Sequence, residues 1–435
     1  MSNLSFNEFN EGTFDQWLHL VKKELGERAL ESIDWEVEDG VVIGPYQTEA
    51  NQDFSIGYVP TQEQYQVVTH PDPREWNRIA LESLMGGTNA LGIDCALLVP
   101  EALPIILAGI EVKYISVHFV NMTHAEAWVH AYIEYLDSVA IERTSLKGSF
   151  ELIDVTMGLD DAKKWYKLAR SHFPNYRIFS IDATRVHENG GSIVQELAWA
   201  LSAGHEHLQR LLDTSIPIDD ASACLQFNFS IGSSYFAQIA KIRAFRWMWK
   251  RIIEAYKPEH DCSVHTYIQA STSRYLQTAK DKHTNLLRAT TQAMSAYIGG
   301  ANSIGVLPYN VWQSSTDELS LRWARNIQQL LLEEGYFAQH RTAADGSFYI
   351  EELTGRYVKA AWELFQKLDA ESANSGIVAA QVQLDSAVAE HARKQEDLVR
   401  EGKRIIVGVN RYVNKTDSAV VDAGAQTFSA PFEKA

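Results

Sequence analysis

Cysteine is scarce: Cys95, Cys224 and Cys262 are the only three in 435 residues, and no two form a CxxC spacing. An odd number so placed excludes a disulfide framework and suits reduced thiols in a cytoplasm. Basic runs are also missing. Lys and Arg total 39 against 56 Asp and Glu, and the net charge of −17 argues against a non-specific nucleic-acid partner. No apolar run is long enough to span a membrane, because the longest, from Cys95 to Ile110, is broken by Pro100, Glu101 and Pro104. The opening MSNLSFNEFNEGTF is polar and acidic, which is not the pattern of a signal peptide. No GxGxxG follows the first strand-like run, so a dinucleotide-binding open sheet is disfavoured.

What is present is a theme repeated along most of the chain. The stretch Tyr176 to Leu212 shows it best: a short apolar run, then a loop from Asp182 to Gly191, then Ser192 as a helix cap followed by Ile193, Leu197, Leu201, Leu208 and Leu212. Strand-like runs lie at Tyr65–Thr69, Ala90–Leu97, Lys113–Phe119, Phe150–Val155, Arg177–Asp182, Leu225–Ile231, Ser263–Gln269 and Ser303–Leu307. Helical periodicity fills the gaps at Pro73–Leu84, Ala125–Tyr135, Leu159–His172, Ser192–Leu212, Ser234–Tyr256, Asn285–Ile298 and Asp317–Gly335. Eight strands alternating with helices predict a (β/α)8 barrel, an α/β fold whose catalytic loops follow the strands.

Three segments result. Residues 1–60 form an N-terminal arm whose helical stripe (Phe14, Trp17, Leu18, Val21, Leu25) has too little core of its own and should dock on a body or a partner. Residues 61–340 are the barrel. Residues 341–435 are a helical extension, with an apolar face at Tyr357, Ala361, Leu364, Phe365 and Leu368, a compact strand at Ile405–Val409 and a frayed end after Asn414.

Candidate chemistry is thin. His205 and His207 are two apart on a helix, point to different faces and read as surface histidines. His260, Cys262 and His265 do not share one strand face, so no metal is expected there. Gly190-Gly191-Ser192 at a helix start could receive a phosphate but reads first as a tight turn. Tyr235, Phe236, Ile239, Ile242 and Phe245 make a core stripe; Lys241, Arg243 and Arg246 among them are expected to meet solvent or a partner.

Several long phrases carry a more specific signal. FSIGSSYFAQIAKIRAFRWMW (Phe229 to Trp249), HENGGSIVQELAWAL (His187 to Leu201), TAKDKHTNLLRATTQAMSAYIGGANSI (Thr278 to Ile304), DGSFYIEELTGRYVKAAWELFQ (Asp345 to Gln366) and GKRIIVGVNRY (Gly402 to Tyr412) resemble the methylmalonyl-CoA mutase family, in family order. The arm and HPDPREWN resemble its small, or beta, subunit more than its large one. The resemblance implies a barrel that, in the catalytic subunit, is joined to a cobalamin domain. There adenosylcobalamin supplies a radical that interconverts methylmalonyl-CoA and succinyl-CoA.

Against that pattern this chain departs in several places. The family's Tyr-His pair aligns with Thr184 and Arg185, which offer neither an aromatic wall nor a proton shuttle. Glu151 replaces a substrate-facing glutamine, Asp161 stands where an arginine grips substrate, and Asn302 begins the segment that has lost the family's histidine. Asp281-Lys282-His283 begins like the cobalamin-domain DxHxxG signature, but Leu286 stands in place of its glycine. The resemblance therefore implies a chain with no cobalamin-binding domain and no cofactor or metal of its own. Its role would be a non-catalytic small subunit, paired with a large subunit that holds adenosylcobalamin. The alternative is a stand-alone barrel enzyme or CoA-thioester-binding protein using Glu151, Asp182 and Arg185 at its mouth.

Overall fold

A computed structural model describes residues 12–38, 40–47, 54, 63–312, 317–340, 342–414 and 427–433. The arm contributes a helix, Phe14–Leu25, opened by a reciprocal Thr13/Gln16 cap, and an antiparallel pair, β1 (Trp35–Glu38) and β2 (Val41–Ile43). Eight further strands follow: β3 (Glu63–Val68), β4 (Ala90–Asp94), β5 (Ser116–Val120), β6 (Lys147–Leu152), β7 (Tyr176–Asp182), β8 (Leu225–Ile231), β9 (Tyr267–Thr272) and β10 (Ser303–Gly305). They close into an all-parallel barrel in the order β10-β3-β4-β5-β6-β7-β8-β9. A second α/β domain, of the kind that would hold cobalamin, is absent among the described residues.

The strands are buried on both faces because helices cover the outside, as parallel sheets require. Local signals start these helices cleanly. Asp72 accepts from the amides of Arg74 and Glu75 ahead of Pro73, and Ser192 and Gln195 cap each other at the start of Ile193–Asp213. Ile193–Asp213 and Tyr235–Ala255 are the longest of the helices laid directly on the barrel wall, and they form a platform. On that platform lies Phe348–Ser375, whose Leu353, Tyr357, Ala361, Phe365 and Leu368 join the same core as Leu201, Leu208, Phe245 and Trp249. Each such fully buried side chain contributes about 1.5–3 kcal/mol. Gly376, at φ +88°, reverses the chain into Ile377–Arg400, which folds back toward the barrel mouth.

Charge as well as apolar contact holds the extension down. Arg243, with no exposed surface, reaches from Tyr235–Ala255 to Asp345 and Glu351. Glu351 also accepts from the amides of Phe54 (3.2 Å) and Gly346 (3.0 Å), so one carboxylate ties arm, extension and barrel helix together. Lys241 is equally buried and pairs with Glu196 at 2.8 Å. Both cations were expected at solvent or at a partner. The structure corrects this: their partners lie far off in sequence, and an unpaired charge could not be buried so deeply. Arg246 is half-buried and spent inside the fold, on the carbonyls of Gly300 and Thr266 and on Asn302.

Four other expectations change. His207 is buried against Phe179, and His205 bonds Asp369 and Tyr256, so neither is a surface histidine. Ser263–Gln269 is a 3-10 turn, Asp261–Val264, followed by a strand that starts at Tyr267. Ile405–Val409 is not a strand, because Gly408 adopts φ +84° and its amide closes a turn onto the Arg411 carbonyl. Phe236 leaves the core stripe and is exposed. The tail expected to fray, apart from residues 427–433, lies outside the described residues, as do residues 1–11 of the arm.

The clamp is testable. Arg243→Leu removes a cation and strands two carboxylates, so it should cost about 3–5 kcal/mol. Urea unfolding would read this as a large fall in midpoint, with protease cuts appearing first in the C-terminal helices. A shift below about 1 kcal/mol would show that the clamp carries little of the extension's attachment.

Candidate functional site

The mouth of the barrel, at the carboxyl ends of the strands, is where a barrel of this kind places its chemistry. The loop after β7 is not irregular throughout, as expected from sequence, but holds a helical turn, Thr184–Glu188. Glu188 ties its loop to two neighbouring strands' ends, accepting from Ser230 Oγ (2.6 Å) near the end of β8 and from the amides of Arg274 (3.2 Å) and Tyr275 (2.6 Å) after β9. His187 Nε2 meets Ser273 Oγ at 2.9 Å, and burial, with the Lys241 and Arg404 charges, drops its pKa to about 3. The imidazole is therefore neutral at physiological pH.

The glycines of this loop are needed for close approach. A Cβ at Gly190 would lie 2.7 Å from Ala392 Cβ on the covering helix and 2.7 Å from the Tyr275 hydroxyl. The Gly190 carbonyl accepts from His391 Nδ1 at 2.6 Å. At the following helix start the Ile193 amide is already bonded to both oxygens of Glu38, at 2.9 and 3.0 Å. The phosphate place considered at Gly190-Gly191-Ser192 is thus taken by a carboxylate of the chain's own arm, at a helix end that favours negative charge.

Inside the barrel the strands present polar groups at every second position. Glu63 accepts from Ser116 Oγ (2.7 Å), pairs with His118 Nε2 (3.1 Å) and receives the Tyr267 hydroxyl. His118 Nδ1 meets Ser149 Oγ at 2.8 Å, and the Arg177 guanidinium lies 3.3 Å over the Tyr267 ring. Burial alone would push the Glu63 carboxyl up. Its bonds to His118, Tyr267 and Ser116 outweigh burial and hold it at about 2. The Tyr65 ring meets His118 edge-on at 5.2 Å and lies across Gly92, where a Cβ would sit 2.6 Å from the Tyr65 hydroxyl. Toward the mouth, Glu151 accepts from Gln226 Nε2 at 3.1 Å, and burial, with the Asp182 charge added, raises its pKa to about 8. These side chains are almost fully buried. The axis is a packed polar core.

The residues singled out from the sequence do not converge. Glu151 lies within the barrel; Thr184 bonds Asp182 at the mouth. Arg185 turns away to Asp385 (2.9 Å) and stacks on Trp199. Asp161 is exposed on the outer helix Leu159–His172. Asn302 is at the opposite end of the barrel, where its Oδ1 accepts from the Ile268 amide at 2.9 Å. His260, Cys262 and His265 form no metal set, nor does any other group among the described residues. Sequence reasoning did not single out Glu63, His118, Tyr65, Tyr267 or Gln226. Their signal was a polar residue at period two within otherwise apolar strands.

Residues 91–427 match the profile of the family described as methylmalonyl-CoA mutase. The chain belongs to that family. It is 30% identical, over 95% of its length and 72% of the relative's, to a methylmalonyl-CoA mutase small subunit of Porphyromonas gingivalis. The corresponding protein of Streptomyces virginiae is 28% identical over the same shares. A probable methylmalonyl-CoA mutase small subunit of Mycobacterium bovis is 32% identical over 56% of this chain and 40% of the relative. No helix among the described residues of this mutase-family chain is long and apolar enough to cross a membrane.

Glu151→Gln tests the interior electrostatics. A carboxyl whose pKa rises on folding stabilises the fold fully below its unfolded value, near 4.5, and loses that contribution as pH climbs to about 8. The glutamine chain should match the parent near pH 4 and exceed it by a few kcal/mol at pH 9. Melting temperatures of both chains across that range are the readout; parallel curves would show that Glu151 does not hold its proton.

Proposed function

We propose that this chain is the non-catalytic small subunit of an adenosylcobalamin-dependent mutase, pairing as a heterodimer with a large subunit that interconverts methylmalonyl-CoA and succinyl-CoA. The reading is supported chiefly by the barrel axis. Along it Tyr65, His118, Tyr267, Glu151 and Gln226 are buried, which leaves an acyl-CoA no room there. The positions of the family's Tyr-His pair agree with it, since Thr184 and Arg185 are committed to structural contacts with Asp182 and Asp385. Nor do the residues at the mouth fit a corrin: the covering helix approaches Gly190 too closely to admit even a methyl group. Two relatives are named small subunits of the mutase, which supports a chain that works beside a larger one; a cytoplasmic complex is part of the same proposal.

A kept fold with a filled site serves as scaffold and interface. The arm offers the surface: Phe14, Trp35 and Tyr46 are exposed, and a 660 Å³ groove between arm and barrel is lined by Trp35, Pro45, Phe236 and Tyr349. Aromatic anchors of this kind dominate interface energy.

Co-expression with a cobalamin-binding homologue should give a complex with mutase activity, while this chain alone binds no acyl-CoA and turns none over. Deleting residues 1–40 should weaken co-elution with the large subunit by at least tenfold, the loss expected from removing interface anchors. Undiminished co-elution would move the interface to the barrel helices, and acyl-CoA binding by the isolated chain would favour a remodelled site instead. Thr184→Tyr with Arg185→His should create no turnover, because catalytic groups act as a unit and the other members are missing.

A further inference from the structure

At the mouth, beneath the C-terminal helices, lies a cavity of 350 Å³, within the range that holds small-molecule ligands. The N-terminus of the helix Tyr235–Ala255 opens beside it. Ser234 and Ala237 line it, Ser234 provides no side-chain cap, and the Ala237 amide makes no hydrogen bond among the described residues. The neighbouring helix shows what such an end takes when an acid is in reach: the Ile193 amide holds Glu38. Each of these helices has 21 residues, long enough for a full end charge.

Three side chains lining the same cavity are incompletely used. Tyr357 has no exposed surface, and its hydroxyl has no partner. Burial raises its pKa, so it stays a donor. Gln238 is buried too, and its Oε1 has no donor. Leaving such groups unmade is costly unless something else supplies the bond. Arg404 bonds Gln395 and stacks 4.8 Å from the Phe428 ring, and the carboxylate whose charge acts on it is Glu38. The cavity lining contains one acid, Glu38, already engaged at Ile193, and two imidazoles, His187 and His391, each bonded into the fold; the charges of Glu188 and Glu396 reach the lining Tyr275.

We infer that this cavity binds inorganic phosphate. The Ala237 amide, the Arg404 guanidinium and the Tyr357 hydroxyl donate to three of its oxygens, and Gln238 Oε1 accepts from the fourth in its protonated form. Three donors and one acceptor match the monohydrogen phosphate dianion, whereas an ionised carboxylate and sulfate have no proton to give Gln238. Nothing in this geometry depends on assembly with another chain.

Titration calorimetry of the full chain with inorganic phosphate should show one saturable site. Arg404→Gln should weaken it about tenfold, the size of one lost charge-assisted bond. Tyr357→Phe is the stricter variant: its hydroxyl bonds nothing in the protein, so the melting temperature without phosphate should not fall while phosphate binding weakens several-fold. Glu38→Gln should tighten binding by removing a nearby negative charge, and sulfate should bind more weakly than phosphate. Absence of saturable heat at about 10 mM phosphate, a concentration at which any site with a Kd of about 1 mM would be filled, would overturn the assignment. So would a Tyr357→Phe chain that binds phosphate as the parent does, or sulfate binding equal to phosphate.

Discussion

A guanidinium with no contact to water must be neutralised where it lies, and Arg243 meets that demand with two carboxylates brought from the far side of the fold. The consequences spread outward. With Glu351 held, the Phe54 and Gly346 amides are satisfied and the 28-residue helix Phe348–Ser375 is fixed on its platform. Its return helix then lies over the mouth, close enough for His391 to reach the Gly190 carbonyl. The covered mouth thus depends on an ion pair that lines no part of it.

The barrel interior obeys a similar constraint. A carboxylate placed in a closed barrel has to be bonded, shared or protonated. Glu63 takes the first course, through His118, Tyr267 and Ser116; Glu151, faced by the Asp182 charge and by neutral amides, is left to keep its proton. Two acids only a few residues inside the same barrel therefore differ in charge because of the groups facing them. Neither arrangement leaves a path along the axis.

Much of the fold was legible in the chain, for reasons that are local. Leu159–His172 and Leu225–Ile231 match their expected bounds, since a clear period and clear punctuation mark both. Where the apolar pattern ran through a turn, as at Ser263 to Val264, the strand start was displaced by four residues. At Ile405–Val409 the composition of a strand was overruled by one glycine. Buried charge was not legible at all. Lys241 and Arg243 sit at ordinary helix positions, and their partners are separated from them by 45 to 108 residues. The polar alternation within the barrel strands was visible, but only the closed sheet turns those residues toward one another.

The ring of Tyr65 and the missing side chain at Gly92 occupy one volume. Two residues in that relation cannot change independently. A tyrosine could enter position 65 only in an ancestor that already had glycine at 92, or lost its side chain there at the same step. The same order holds in reverse: any lineage that regains a larger residue at 92 must first surrender the ring. The filled axis is in this sense a ratchet of two positions, and the order of its steps could be read from reconstructed ancestral sequences.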